Sequence, residues 1–212
     1  MTETAERAQK TGYHHGDLRA ALVAATRALV EAKGPDHFSV AEAARAAGVS
    51  TAAPYRHFKD RDELLAAVCL DAMARHHDQM VAALAPVPPA TPERIKRLGE
   101  VYVAFARAEP AMFRLSFGSR QKPEALEKLK GDNEEIDTFG IVVSEVADVL
   151  GLPHEHPEAR RRAFLLWTIV HGLSFLLIDD KVQFAGIEID VDAFLDDVGR
   201  RVLADPPTGL PA

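Results

Sequence analysis

Signals that begin and end helices constrain this chain more than any other feature of its sequence. Two capping boxes occur, SVAE at 39–42 and DRDE at 60–63, in which a side-chain oxygen accepts from the backbone N–H three residues on and the glutamate bonds back. Gly34–Pro35 and Gly48 mark helix ends, because glycine turns readily through a left-handed conformation. No segment sustains apolar and polar alternation, so we predict an all-α protein of about nine helices.

The bounds of these helices follow from apolar spacing between the signals. Apolar residues from Leu18 to Leu29 recur at intervals of three or four, which is typical of one buried helix face. Residues 182–190 are the only segment with strand character, and we interpret them as a loop. The predicted helices are 16–32, 40–47, a short helix capped by Ser50, 60–85, 92–108, 111–117, 123–150 with a possible break at Gly131, 158–180 and 191–204.

Composition and charge exclude several classes of protein. With 47% hydrophobic residues in 212, the chain can bury a sizeable core in one large or two small domains. Its net charge of −7 lies entirely after residue 66, since the first 66 residues hold nine basic and nine acidic side chains. The molecule is therefore no general polyanion binder, but a local basic face near the N-terminus is allowed.

Cysteine use and hydropathy favour a cytoplasmic protein. The single cysteine, Cys69, excludes an intramolecular disulfide and suits a reducing compartment. The N-terminus has no apolar signal sequence, and the apolar run 163–178 is shorter than the roughly 20 residues that a bilayer span needs. We therefore expect no membrane association.

The segment after Gly48 combines a short predicted helix with groups that can contact DNA. A helix, a glycine turn and a second short helix form a helix-turn-helix, whose second helix can enter a major groove. Arg56 can read guanine through two hydrogen bonds, and small residues beside it let the backbone approach base edges. The candidate base-facing residues are Thr51, Ala52, Ala53 and Arg56, and the candidate phosphate contacts are Tyr55, His57, Lys59 and Arg61. Ser50, which precedes them, is a further candidate DNA contact.

Pro54 lies inside this predicted helix. With Ser50 as the N-cap, Pro54 would be the fourth helical residue, so the helix would lose only its first hydrogen bond. An alternative interpretation pairs Tyr55 with Phe58 in a core and leaves the charged residues on a solvated face. The capping boxes, the glycine turn and the following long helix together favour DNA binding.

The stretch FSVAEAARAAGVSTAAPYRHFKDRDELLAAV, within 13–68, resembles the DNA-binding domain of TetR-family transcriptional regulators. The Y-x-H-F motif at 55–58 is its most specific part, and many family members have lysine where this chain has Arg61. The resemblance implies a three-helix DNA-binding head at 1–60, a helical ligand-binding and dimerisation body at 61–205, and a homodimer formed by the last two helices. It assigns base-facing positions to Thr51, Ala52, Ala53 and Arg56, and phosphate contacts to Ser39, Tyr55 and His57. The tail 206–212 is expected to be disordered.

The stretch LLWTIVHGLSFLL, at 165–177, resembles the W-x-x-x-H-G segment of one class of TetR C-terminal domains. Gly172 would permit close approach of another helix, such as its own copy across a dimer axis. A largely apolar pocket needs aromatic residues and a few polar groups. His171 is the best polar candidate, although a histidine bonded to a backbone carbonyl is an equal alternative. The candidate pocket residues, each of which could also be ordinary core, are Tyr102, Phe105, Met112, Phe113, Phe117, Phe139, Trp167, His171 and Phe175.

The function that these patterns favour is a ligand-responsive repressor that binds a palindromic double-stranded DNA operator and is released by a small-molecule effector. There are two alternatives. One is a transcriptional activator, and the other is a helical ligand-binding protein or enzyme that does not regulate transcription. No catalytic motif supports an enzyme, and we expect no cofactor. The histidine pairs 14–15, 76–77 and 154/156 lack a second cluster at a recognised metal-ligand spacing, so we expect no metal site.

Overall fold

The computed structural model describes residues 15–117 and 136–204, and the chain divides into two compact units, Met1–Val68 and Cys69–Ala212. The described residues form eight α-helices, two short 3₁₀ helices and no strand, so the all-α prediction is confirmed. The α-helices are α1 (His15–Lys33), α2 (Val40–Ala46), α3 (Arg61–Leu84), α4 (Pro92–Ala108), α5 (Pro110–Phe117), α6 (Thr138–Leu150), α7 (Pro157–Ile178) and α8 (Val191–Ala204).

The first capping box forms at the start of α2 as predicted. The Glu42 N–H donates to Ser39 Oγ at 3.2 Å, and the Ser39 N–H donates to Glu42 Oε2 at 2.9 Å. Lys33 at the end of α1 lies 2.8 Å from the same carboxylate and, with Ser39, lowers the pKa of Glu42 to about 2. This carboxylate therefore caps α2 and ties it to α1.

The second capping box forms in a different pattern. The Glu63 N–H donates to Asp60 Oδ1 at 2.9 Å, as expected of an N-cap. The Glu63 carboxylate, however, accepts from the Lys59 N–H at 2.6 Å, one residue before the N-cap. Asp60 and Glu63 still satisfy two backbone donors where α3 begins.

In the second unit, α4 packs against α7 and α8, and α6 packs against α7. The core at this junction includes Ile95, Val146, Ala163 and Leu166. A Cβ added to Gly99 in α4 would lie 3.0 Å from a methyl group of Leu195 in α8. A side chain at position 99 would therefore require the Leu195 side chain to shift by a few tenths of an ångström.

Of the helix predicted at 123–150, the structure describes residues 136–150, and its helical part there starts later than predicted. Residues 136 and 137 are not helical, and α6 begins at Thr138 with Asp137 as its N-cap. The Asp137 carboxylate accepts from the Gly140 N–H at 2.7 Å, which fixes this helix start. The predictions at 123–135 and 206–212 lie outside the described residues. The loop predicted at 182–190 is confirmed, since a 3₁₀ helix at Val182–Ala185 and irregular backbone occupy it.

Helix α7 is longer than the apolar run in the sequence indicates. Over its 22 residues it is long and apolar enough, by length and composition, to cross a membrane. It nevertheless carries three arginines at 160–162 and packs against α4, α6 and α8. These contacts bury one side of α7 in the core of the second unit.

Candidate DNA-binding surface and ligand cavity

The segment after α2 follows a helical path without forming an α-helix. Gly48 has φ +71°, and the Val49 N–H donates to the Ala44 carbonyl at 2.9 Å, so the predicted glycine turn is confirmed. Residues 51–53 are turns, and a 3₁₀ helix at Pro54–Arg56 stands where the sequence predicts a short α-helix capped by Ser50.

Proline explains this difference. Ala53, not Ser50, is the N-cap, and Pro54 is the first residue of the 3₁₀ helix. Proline has no N–H to donate, and at this position no helical hydrogen bond requires one. The bonds around it run from residue i to i−3, from the Ala53 N–H to the Ser50 carbonyl at 3.0 Å and from the Arg56 N–H to the Ala53 carbonyl at 3.2 Å. The proposed loss of one helical bond at Pro54 is therefore wrong, because none is lost.

The same segment has a buried side and an exposed side. Pro54 is fully buried and Phe58 is 3% exposed, whereas Tyr55 is 60% exposed and Arg56 is exposed. Tyr55 therefore does not form the core pair with Phe58 that the alternative interpretation requires. Two buried anchors hold the segment while its aromatic and guanidinium groups face solvent.

All ten predicted DNA-contact residues have at least part of their surface exposed to solvent. Seven are exposed, namely Ser39, Ser50, Thr51, Ala52, Tyr55, Arg56 and Lys59. Ala53, His57 and Arg61 are half-buried. No DNA is present in the structure, so each contact stays a prediction.

Two of these residues, Arg61 and Ser39, also make contacts within the first unit that stabilise its fold. The Arg61 guanidinium donates to the Pro35 carbonyl and lies 4.7 Å above the Phe38 ring. It thus ties the start of α3 to the turn that precedes α2, and only its remaining N–H groups are free to meet a phosphate. The Ser39 hydroxyl is engaged in the cap of α2.

The second unit contains a cavity of about 650 Å³ bounded by residues of α3 to α8. Four of the nine predicted pocket residues line it, namely Tyr102, Phe117, Phe139 and Trp167. Phe105, Met112 and Phe113 are buried core residues that do not line it. His171 and Phe175 also lie outside the cavity wall, although both rings contact the same aromatic cluster.

A hydrogen-bonded chain of three side chains crosses from α4 to α7. Tyr102 Oη lies 2.8 Å from His171 Nδ1, and the Trp167 Nε1–H donates to the same hydroxyl oxygen at 3.2 Å. Burial raises the pKa of Tyr102 and lowers that of His171, so both are uncharged near neutral pH. His171 therefore bonds to a tyrosine hydroxyl, which neither sequence interpretation anticipates.

Sequence analysis misses His76 as a cavity residue. It lies on α3, lines the cavity and is 3% exposed. Its ring stacks on Phe105 at 4.8 Å between centroids and meets the Tyr102 ring edge-on at 5.4 Å. Burial, and the neighbouring His77, lower the pKa of His76 to about 4, so it is neutral at pH 7. The available signal was helical spacing, since Ala72 and Met80, four residues to either side, are also buried.

Of the remaining histidine pairs, 14–15 lies outside the residues whose side chains the structure describes, and 154/156 does not assemble into a larger cluster. His154 Nε2 lies 2.9 Å from Asp148 Oδ1, which raises the pKa of His154. Over residues 15–117 and 136–204, no group of three or more histidine, cysteine or acidic side chains is placed to hold a metal ion.

Comparisons with known proteins agree with this architecture. A protein of unknown function from Rhodococcus sp. RHA1 is 26% identical, with a TM-score of 0.74 over 94% of this chain and 98% of that one. A tetR-family transcriptional regulator from Streptomyces coelicolor is 16% identical, with a TM-score of 0.68 over 91% and 81%. The fatty acid degradation regulator FadR from Bacillus halodurans is 14% identical, with a TM-score of 0.66 over 90% and 97%. These two lower identities show the shared fold alone.

Family models match both units. The model of bacterial regulatory proteins of the tetR family matches residues 22–68, and that of tetracyclin repressor-like C-terminal domains matches residues 95–202. No curated protein matches the chain. Because the C-terminal model alone spans half of the sequence and the N-terminal model covers the helix-turn-helix segment, the chain belongs to the TetR family of transcriptional regulators, which is not a family of enzymes.

Proposed function

We propose that this TetR-family regulator is a cytoplasmic repressor that binds a palindromic operator as a homodimer and is released by a small, largely apolar ligand. The observation that carries the proposal is the exposed pair Tyr55 and Arg56 beside the buried anchors Pro54 and Phe58. An exposed segment held by two buried residues fits a major groove. Two copies about 34 Å apart would read successive turns of the duplex.

The DNA contacts divide into two classes with different expected effects. Arg56→Ala removes the one predicted bidentate contact to a base, so it should cost about 1–3 kcal/mol at that base pair and relax the preference for guanine. Tyr55→Phe and His57→Ala remove predicted phosphate contacts, so they should weaken binding to all sequences alike. A mobility-shift series with single-base operator variants measures both. If the Arg56→Ala variant ranks the operator variants by affinity in the same order as the wild type, Arg56 does not read a base.

Apolar residues exposed on α7 support the homodimer. Leu165 and Leu176 are 41% and 45% exposed, and Thr168 and Gly172 lie between them at helical spacing on an exposed stripe. A Cβ added to Gly172 meets no atom within 4 Å, so a second helix has room to approach there. An apolar stripe around a glycine is typical of closely packed helices.

Gly172→Leu tests this dimer contact. Within one protomer the added side chain meets open space, so folding should be unaffected. At a close helix pair it should overpack the interface and raise the dimer dissociation constant by about tenfold or more. Sedimentation over a range of protein concentrations measures this, with Ala104→Leu on the exposed side of α4 as a matched control. A wild-type protein that sediments as a monomer contradicts the homodimer.

The ligand acts, in this proposal, by binding one conformation of the second unit more tightly than another. Such coupling typically amounts to about 1–3 kcal/mol. An activator would show the same DNA binding, and the position of the operator relative to a promoter distinguishes it from a repressor. Sequencing of genomic fragments bound by the protein gives that position.

A further inference from the structure

The side chain of His76 is buried without the hydrogen bonds that a buried polar group requires. Neither Nδ1 nor Nε2 has a partner among the residues that the structure describes. The ring is held between Phe105 and Tyr102, and the Tyr102 hydroxyl is already bonded to His171. An unpaired polar group in an apolar site destabilises the folded state, so most such groups in proteins have a partner.

His76 also borders the cavity, so a bound molecule can supply that partner. Neutral imidazole carries one N–H donor and one acceptor nitrogen. A hydroxyl or carbonyl oxygen is therefore complementary to it.

The charged residues that line the cavity restrict the charge that the ligand can carry. Lys96, Arg160 and Arg161 line it, and no aspartate or glutamate does within the described part of the chain. Lys96 is paired with Asp192 at 2.7 Å and Arg161 with Glu158 at 2.7 Å, while the Arg160 guanidinium lies 5.5 Å above the Phe139 ring. A cationic ligand would meet three cationic residues and, among the described residues that line the cavity, no carboxylate to pair with.

We propose that the ligand is a predominantly apolar, non-cationic molecule with an uncharged hydroxyl or carbonyl oxygen, and that this oxygen hydrogen-bonds to a ring nitrogen of His76. The inference rests on the proposed function, since it concerns the ligand of the same regulator. A charged carboxylate beside His76 is disfavoured, because it would lose its hydration next to a neutral ring. The cavity volume of about 650 Å³ suits a molecule of drug or lipid size.

Trp167 provides the readout, because it is the only tryptophan and it lines the cavity. Its fluorescence is titrated with 1-decanol, 1-chlorodecane and decylammonium, which share one chain and differ in the end group. The full-length wild-type protein should bind decanol about tenfold more tightly than chlorodecane, which corresponds to one added hydrogen bond. Decylammonium should bind more weakly than decanol. Equal binding of decanol and chlorodecane, or no decanol binding, overturns the proposal.

Substitution of His76 identifies the bonding group. His76→Leu should abolish the preference for decanol over chlorodecane, so that the two molecules bind about equally. His76→Gln, which keeps a donor and an acceptor, should retain part of the preference. His77→Leu is the matched control, since His77 is the half-buried neighbour and does not line the cavity. A preference that persists in His76→Leu assigns the bond elsewhere and overturns the proposal.

Thermal unfolding without any probe separates a binding role from a structural one. Because His76→Leu removes unpaired buried polar atoms, the variant should unfold at a higher temperature than the wild type. A lower midpoint would mean that the ring nitrogens are bonded in the free protein, which contradicts the inference.

DNA binding is measured separately on the same variants. A protein that binds no operator but retains the His76-dependent preference contradicts the regulator proposal and supports this inference.

Discussion

Arg162→Met is expected to lower the free energy of unfolding by about 3–5 kcal/mol, because it removes several hydrogen bonds of a buried guanidinium, each of which contributes about 1.5–3 kcal/mol. The guanidinium is 2% exposed, and its Nε donates to Glu158 Oε1 at 2.7 Å. Its Nη1 donates to the carbonyls of Val202 and Leu203 at 2.8 and 3.0 Å, which belong to the last turn of α8. The variant leaves two helix-end carbonyls without these donors, while the Glu158 carboxylate keeps its bonds to Arg161. Chemical denaturation at one fixed protein concentration measures the loss.

Arg161→Met is the matched control, because Arg161 bonds to the same carboxylate from the surface. Its Nη2 lies 2.7 Å from Glu158 Oε1, but its side chain is 43% exposed, so we expect a loss of only about 0–1 kcal/mol. Equal losses in the two variants would show that burial and the α8 carbonyls contribute nothing.

The pH dependence of this pair has a definite sign. Arg161 and Arg162 lower the pKa of Glu158 from its ordinary 4.5 to about 2. A carboxyl with a lowered folded-state pKa stabilises the protein above its unfolded-state pKa. The contribution is therefore complete above about pH 4.5 and disappears as the pH falls towards about 2. Arg162→Met should make stability less dependent on pH within that window.

Local signals in the sequence were sufficient to predict most helices. The Ser39 cap and the Gly48 turn depend on residues within one turn of each other, and α4 has the predicted bounds 92–108. The segment at 51–56 was not predicted correctly, because apolar spacing cannot distinguish an α-helix from turns that follow a helical path. That distinction depends on the hydrogen bonds around Pro54.

The cavity was predicted less well than the helices, because its wall depends on which helix faces meet. Tyr102 and Trp167 were identified from their aromatic character, and both line the cavity. The same criterion selected Phe113, which lies wholly in the core. His76 was missed, because helical spacing indicates its burial but its place in the cavity wall depends on how α3 packs against α4.

The second ion pair with a large expected effect joins Arg94 to Glu145. Two guanidinium nitrogens, Nε and Nη2, lie 2.5 and 2.6 Å from the carboxylate of Glu145, which is 8% exposed. The third, Nη1, donates to the carbonyls of Leu84 and Val87 at 2.9 and 2.8 Å. One side chain thus connects the end of α3, the proline-rich connection after it, α4 and α6.

Arg94→Met should cost about 3–5 kcal/mol of unfolding free energy, because it leaves the Glu145 charge buried without a partner. The double variant Arg94→Met/Glu145→Leu removes that unpaired charge, so it should recover a substantial part of the loss. Since the carbonyls of Leu84 and Val87 still lose their donor, recovery should be incomplete. Denaturation of the single and double variants measures both quantities. A double variant as unstable as the sum of its single variants would show that the two charges do not interact, and the connection of α4 to α6 would then depend on apolar packing alone.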